Sequence, residues 1–136
     1  MSPRTKQNLL NAMKGEAFES ATYSRFAAHA RMDSDWDSAK AFQDSANCDR
    51  TGNFAKEAAL DGLVAQTPEN LRNAIDAETD ECKLYKQFAL EARQDGDLGV
   101  ATAFEDICRD KEDRCTALDG RLQDMGSHSH IKTFGA

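Results

Sequence analysis

Residues 8–63 and 70–125 carry one pattern twice, at a fixed offset of 62 and with no gap. The stretch NLLNAMKGEAFESATYSRFAAHARMDSDWDSAKAFQD lies over NLRNAIDAETDECKLYKQFALEARQDGDLGVATAFED. Matched pairs include Asn8/Asn70, Glu16/Glu78, Glu19/Glu81, Tyr23/Tyr85, Phe26/Phe88, Arg31/Arg93 and Phe42/Phe104, and 19 of the 56 paired positions are identical. A shared amphipathic period alone does not produce that many. The chain is one structural unit duplicated, so whatever one half folds into, the other folds into as well. Where the copies differ, one of them has changed its chemistry.

Each unit reads as an antiparallel helix pair, because apolar residues recur every three or four positions in both of its segments. Leu9, Ala12, Met13, Tyr23, Phe26, Ala27 and Ala30 form the first stripe; Ala39, Phe42 and Ala46 begin the second. Stop and start residues separate the segments: Asp33-Ser34-Asp35, Gly62, Thr67-Pro68-Glu69 and Gln94-Asp95-Gly96-Asp97. The spacing predicts helices at roughly 4–32, 36–61, 68–94 and 98–125, an all-α four-helix bundle made of two repeated hairpins. Residues 1–125 form the expected bundle domain. The stretch 126–136, small, polar and aperiodic, reads as a flexible C-terminal tail rather than a metal site on His128 and His130.

A net charge of −7 with interspersed acids and bases argues against a nucleic-acid surface. The N-terminal MSPRTKQNLL has no apolar run and no stretch approaches a membrane span, so a cytoplasmic protein with no membrane role is the expectation. Cys48, Cys82, Cys108 and Cys115 have no C-x-x-C spacing, which leaves no zinc ribbon and points to reduced thiols.

Chemistry is expected where charges interrupt the apolar stripes. Glu16 lies seven residues after Leu9 and seven before Tyr23, which places it on the inward face of helix one. Glu78 repeats this between Leu71 and Tyr85, and Glu19 and Glu81 follow one turn later. Asp49, seven residues after Phe42, lies on the inward stripe of helix two. Its counterpart on helix four is Lys111, with Arg114 one turn beyond. The pattern is a carboxylate cage with a cationic wall.

NLLNAMKGE, the Y-x-x-F-A-x-x-A-R of Tyr23 to Arg31, the A-F-x-D of Ala41 to Asp44 and their repetition resemble the rubrerythrins, within the ferritin-like diiron-carboxylate superfamily. The resemblance covers about residues 5–125. It implies a ferritin-like bundle in which Glu from helices one and three, and a Glu-x-x-His from helices two and four, hold two irons. By that resemblance Glu16, Glu78 and Glu81 match metal ligands, and Asp49 stands where helix two gives Glu. Gly52 falls at the helix-two histidine, while Lys111 and Arg114 fall at the helix-four Glu and His. No cysteine follows Cys115, so the rubredoxin-like domain that usually follows is not expected here.

Clustered carboxylates in a low-dielectric core need neutralising cations, and Lys111 with Arg114 can supply the charge that iron supplies in the family. The expectation is a rubrerythrin-like protein whose diiron site is largely replaced by the charge cluster Glu19, Lys111 and Arg114 with its acids, metal-poor or metal-free, in an interaction or stress-related role. The alternative is an iron or manganese oxidoreductase or peroxidase in peroxide detoxification or iron handling, with metal on Glu16, Asp49, Glu78 and Glu81. Tyr23 and Tyr85 are candidate redox phenols, with core packing as the plainer reading. A thiolate near Lys111 would be stabilised, which permits cysteine-based peroxide reduction. Neither the substrate nor an electron donor is legible.

Assembly follows from a distance. In ferritin-like bundles helices two and three run parallel, so the connection must climb the bundle. Residues 62–67 and their junctions to Asp61 and Pro68 reach about 25 Å at about 3.5 Å per residue, whereas some 22 helical residues rise about 33 Å at about 1.5 Å each. The shortfall predicts a domain-swapped homodimer.

Overall fold

A computed structural model of the chain describes residues 1–131, and all of its regular structure there is helical. The elements are α1 (Pro3–Met32), α2 (Trp36–Asn47), a π-helical segment (Cys48–Phe54), α3 (Ala55–Asp61), α4 (Thr67–Gln94) and α5 (Leu98–Asp124). The expected all-α fold is borne out, with helix bounds within a residue or two of the sequence reading. The chain divides into two compact units, Met1–Val64 and Ala65–Ala136, one per repeat.

Local chemistry sets the helix ends. The Ser2 hydroxyl accepts the Thr5 amide at 3.2 Å ahead of α1, and Asp35 accepts the Ser38 amide at 3.1 Å ahead of α2. Both hairpin turns need one left-handed residue: Gly96 takes it with φ 84° in the second repeat, and Ser34 takes it with φ 59° in the first. Gly62 closes α3 in the same conformation, φ 71°. Asn70 then latches the start of the second unit, accepting the Ala65 amide at 2.8 Å and donating to the Ala65 carbonyl at 2.9 Å.

The first hairpin packs through small residues. Ala27, Ala30, Ala39 and Ala46 are buried along the crossing, and Ser20 donates to the Ala46 carbonyl at 3.0 Å. The second buries Ile75, Cys115 and Leu122 as a cluster, with Leu71, Leu118 and Ile131 packed on it. Full burial of a side chain such as Ile75 or Leu122 stabilises by about 1.5–3 kcal/mol. Each hairpin carries the same aromatic triad: Phe26 and Phe42 centroids are 5.3 Å apart with Tyr23 beside them, and Phe88 and Phe104 are 5.8 Å apart with Tyr85 beside them.

The π-helical segment breaks the symmetry. A π turn bonds i to i+5 and so takes in one residue more than an α turn. Beyond it the first repeat runs one residue out of phase with the second. Leu60 and Leu122 are identical in the gap-free register, yet Leu60 is 71% exposed and Leu122 fully buried. Ala58 is buried at the level of Asp119, an offset of 61 rather than 62.

Part of the segment expected to be a flexible tail is bound to the second hairpin. The buried Asp119 carboxylate accepts the His130 amide and Gln123 Nε2 at 2.6 Å each and the Ser129 hydroxyl at 2.8 Å. His130 Nε2 lies 3.0 Å from Asp76 Oδ1, and Ile131 packs on the core. Asp119 lies 10 and 11 residues before Ser129 and His130, and Asp76 lies 54 before His130. Residues 132–136 of the expected tail lie outside the described residues.

Candidate functional site

In the first hairpin, α1 supplies Glu16 and Glu19 and the π-helical segment supplies Asp49. One oxygen from each lies within 4.8 Å of the others. Glu16 and Asp49 are half-buried, and Glu19 is exposed. Among the described residues no Lys or Arg forms an ion pair with any of the three. The Glu16 carboxyl is held above its ordinary pKa, first by burial and then by the Asp49 and Glu19 charges, against the pull of a bond from Asn53. Asn53 Nδ2 lies 3.4 Å from both Glu16 oxygens. Asp49 Oδ2 is buried with no hydrogen-bond partner.

Asn53 was not a sequence candidate. The gap-free register sets Gly52 opposite Arg114, but the π turn advances the chain by one residue and brings Asn53 to Glu16, as Arg114 meets Glu78 in the second repeat. Arg114 Nη1 stands 3.9 Å from Glu78 Oε1. No residue type in Cys48–Phe54 announces a π turn.

In the second hairpin, α4 supplies Glu78 and Glu81, and α5 supplies Lys111 and Arg114. Lys111 is buried; its Nζ lies 3.2 Å from Glu78 Oε2 and bonds Glu81 Oε2. Burial pushes the Lys111 pKa down, but the bonds and charges of Glu81 and Glu78 outweigh this and hold it above the ordinary value. The ammonium also sits 5.7 Å from the Tyr85 ring centroid. The described ion-pair partners of Lys111 are Glu78 and Glu81.

No protein-family model matches the chain. Over 137 residues it is 28% identical to rubrerythrin from Porphyromonas gingivalis (strain ATCC BAA-308 / W83), an alignment covering 89% of this chain and 68% of that protein. The chain is similar to a rubrerythrin over most of its length.

The side chains present do not fit a diiron centre of the kind the resemblance implies. On the second hairpin the Lys111 ammonium bonds the two carboxylates that would bind a cation, and a divalent ion there would meet a fixed positive charge. His29 is exposed on Asp33 at 3.2 Å, and His130 faces Asp76, so neither serves the carboxylates.

Tyr23 and Tyr85 are engaged in the aromatic triads, the packing reading of the two. The four cysteines divide. Cys48 is exposed; Cys115 is buried, with Sγ 3.3 Å from the Thr79 hydroxyl; Cys82 and Cys108 are joined as a disulfide across α4 and α5, Cα to Cα 4.7 Å. The expectation of four reduced thiols is corrected for that pair: Cys82 on α4 faces Cys108 on α5, a relation that Cys spacing along the chain does not encode. None of the described helices is long and apolar enough to cross a membrane.

Proposed function

We propose that this is a rubrerythrin-like protein of the ferritin-like superfamily in which Lys111, seconded by Arg114, takes the place of metal on the second repeat. It acts without a diiron centre, in an interaction or stress-related role. The observation that carries this reading is the buried Lys111 ammonium on Glu78 and Glu81, a charge already in place where a cation would bind. Similarity to rubrerythrin along most of the chain supports the superfamily assignment. Protein loaded anaerobically with ferrous ion, aired and desalted should retain well under one iron per chain. Two irons per chain with oxo-bridged diferric absorbance would overturn the proposal.

A second reading draws on the first hairpin. Three carboxylates with oxygens within 4.8 Å and a raised Glu16 pKa favour a single hard cation, manganese or iron, in an oxidoreductase related to peroxide handling. It is distinguished by one manganese or iron per chain that Glu16→Gln removes and Glu78→Gln leaves.

We also propose a cytoplasmic homodimer in which the first hairpin of one chain packs on the second hairpin of its partner. Taken singly, each hairpin leaves one triad ring half-exposed, Phe26 at 47% and Phe88 at 41%, together with Phe18 and Leu84. Apolar rings at matched positions on two hairpins suit mutual burial.

A further inference from the structure

The duplication supplies an internal control for the cysteine pair. Cys82 matches Ser20 and Cys108 matches Ala46 in the gap-free register. In the first hairpin this crossing is held by one hydrogen bond, Ser20 Oγ to the Ala46 carbonyl at 3.0 Å. In the second, Cys82 Sγ stands 3.6 Å from the Cys108 carbonyl and Cys108 Sγ 3.4 Å from the Cys82 carbonyl. The first hairpin thus makes the matching crossing without a sulfur–sulfur bond, and the cysteine pair is particular to the second copy.

Their surroundings are equipped for sulfur chemistry. Glu112 Oε1 lies 3.4 Å from Cys82 Sγ and 3.8 Å from Cys108 Sγ, and Lys86 Nζ stands 3.6 Å from the same oxygen. A cleft of about 360 Å³ opens over Cys108, walled by Lys86, Leu90, Arg93, Glu105 and Glu112. Cys108 lines it and Cys82 does not; Cys82 is fully buried. The volume suits a small molecule and not a folded domain.

We infer that Cys82–Cys108 is a reversible thiol–disulfide couple, reduced through this cleft by a small dithiol, with Cys108 as the attacked sulfur. A thiolate of the dithiol bonds to Cys108 Sγ, the Cys82–Cys108 bond breaks, and Cys82 leaves as a thiolate that takes up a proton. The second thiol of the reductant then attacks its own sulfur in the mixed disulfide, leaving as a cyclic disulfide and releasing Cys108. Two electrons and two protons pass from the reductant to the protein. Glu112 is the acceptor placed for both new thiol protons. Reoxidation is the same exchange run backwards with a small disulfide.

The test uses the full chain carrying Cys48→Ser, which removes the exposed thiol. Air-oxidised and denatured, it should titrate one thiol, Cys115; after dithiothreitol treatment of the native protein it should titrate three. In the reduced native protein, brief alkylation followed by peptide mass mapping should label Cys108 before Cys82. With Cys82→Ser, Cys108 should react with an aromatic disulfide about tenfold or more faster than Cys82 does with Cys108→Ser, as access governs thiol reactivity. Three thiols in the oxidised protein, a bond that opens only on unfolding, or equal labelling of the two cysteines would each overturn the inference.

Discussion

Lys111 sets its ammonium 3.2 Å from Glu78 Oε2, while Asp49, the residue matched to it in the first repeat, sets a carboxylate beside Glu16. One position in the duplicated unit thus carries opposite charge in its two copies. The second hairpin is neutralised internally, and the first keeps its acids.

Removing Lys111 should therefore be costly. Lys111→Ala leaves Glu78, which is 19% exposed, without its closest cation, and should destabilise by about 2–3 kcal/mol. The half-exposed Glu81 holds the figure at or below the low end of the range, about 3–5 kcal/mol, for breaking a buried pair. Lys111→Met with Glu78→Gln and Glu81→Gln should lose less than half as much. Urea denaturation of the three proteins reads this directly, and a Lys111→Ala midpoint equal to the parent's would show the pair to be idle.

Restoring metal ligands should depend on the π turn. Lys111→Glu, Arg114→His and Asn53→His together should raise ferrous affinity at least tenfold above the same pair of changes combined with Gly52→His, since Asn53 is the residue that reaches Glu16. Iron-binding isotherms decide between them. Equal affinity would mean the one-residue slip does not operate at the site.

The two hairpin turns predict a stabilising change. A non-glycine residue in the left-handed region costs about 1–2 kcal/mol, and glycine gives back about 0.5–1 kcal/mol in unfolded-chain entropy. Ser34→Gly should then raise stability by roughly 0.5 kcal/mol, and Gly96→Ser should lower it by about the same. Thermal melts of the two variants should move in opposite directions.

Acid should release the bound tail. Asp119 is held below its ordinary pKa chiefly by the His130 amide, helped by Ser129 and Gln123 against the opposing effect of burial. A carboxyl with a depressed folded pKa contributes stability that is present above its unfolded value, near about pH 4, and lost as pH falls through the folded value. Amide exchange at His130 should therefore accelerate below about pH 4, and Asp119→Asn should abolish that pH dependence while weakening the tail at neutral pH. Exchange at His130 unchanged down to pH 2 would contradict the assignment.

Light scattering at micromolar concentration should give about 30 kDa, twice the 15.0 kDa chain. A dozen flexible residues inserted in 62–67 should let monomers form. A native monomer would remove the proposed exchange of hairpins.

The helices were legible because each end carries its own chemistry: Asp35, Pro68, Gly62 and Gly96 act within a turn of where they stand. Glu16, Glu78 and Lys111 were legible as interruptions of a three-to-four-residue apolar rhythm. Asn53 was hidden, since a shift of one residue in helical phase leaves no mark in residue types. The Cys82–Cys108 bond was hidden because it depends on which faces of two segments 26 residues apart meet, and the Asp119 clasp because it depends on the chain turning back after Gly126.

A freshly duplicated chain has interchangeable halves, and the wide turn at Cys48–Phe54 ended that here. A chimera joining the first repeat through Asn47 to the second from Asp110 would run in unbroken α phase. Every residue beyond the former π turn would sit about 100° around the helix from the first-repeat residue it replaces. Leu122 would point inward where Leu60 now faces solvent, giving the first hairpin a larger apolar seam. Asn53 would be lost from Glu16, and Lys111 would replace Asp49. The extra residue thus exchanges grease for polarity in one copy, and grafting the other copy's helix would reverse it.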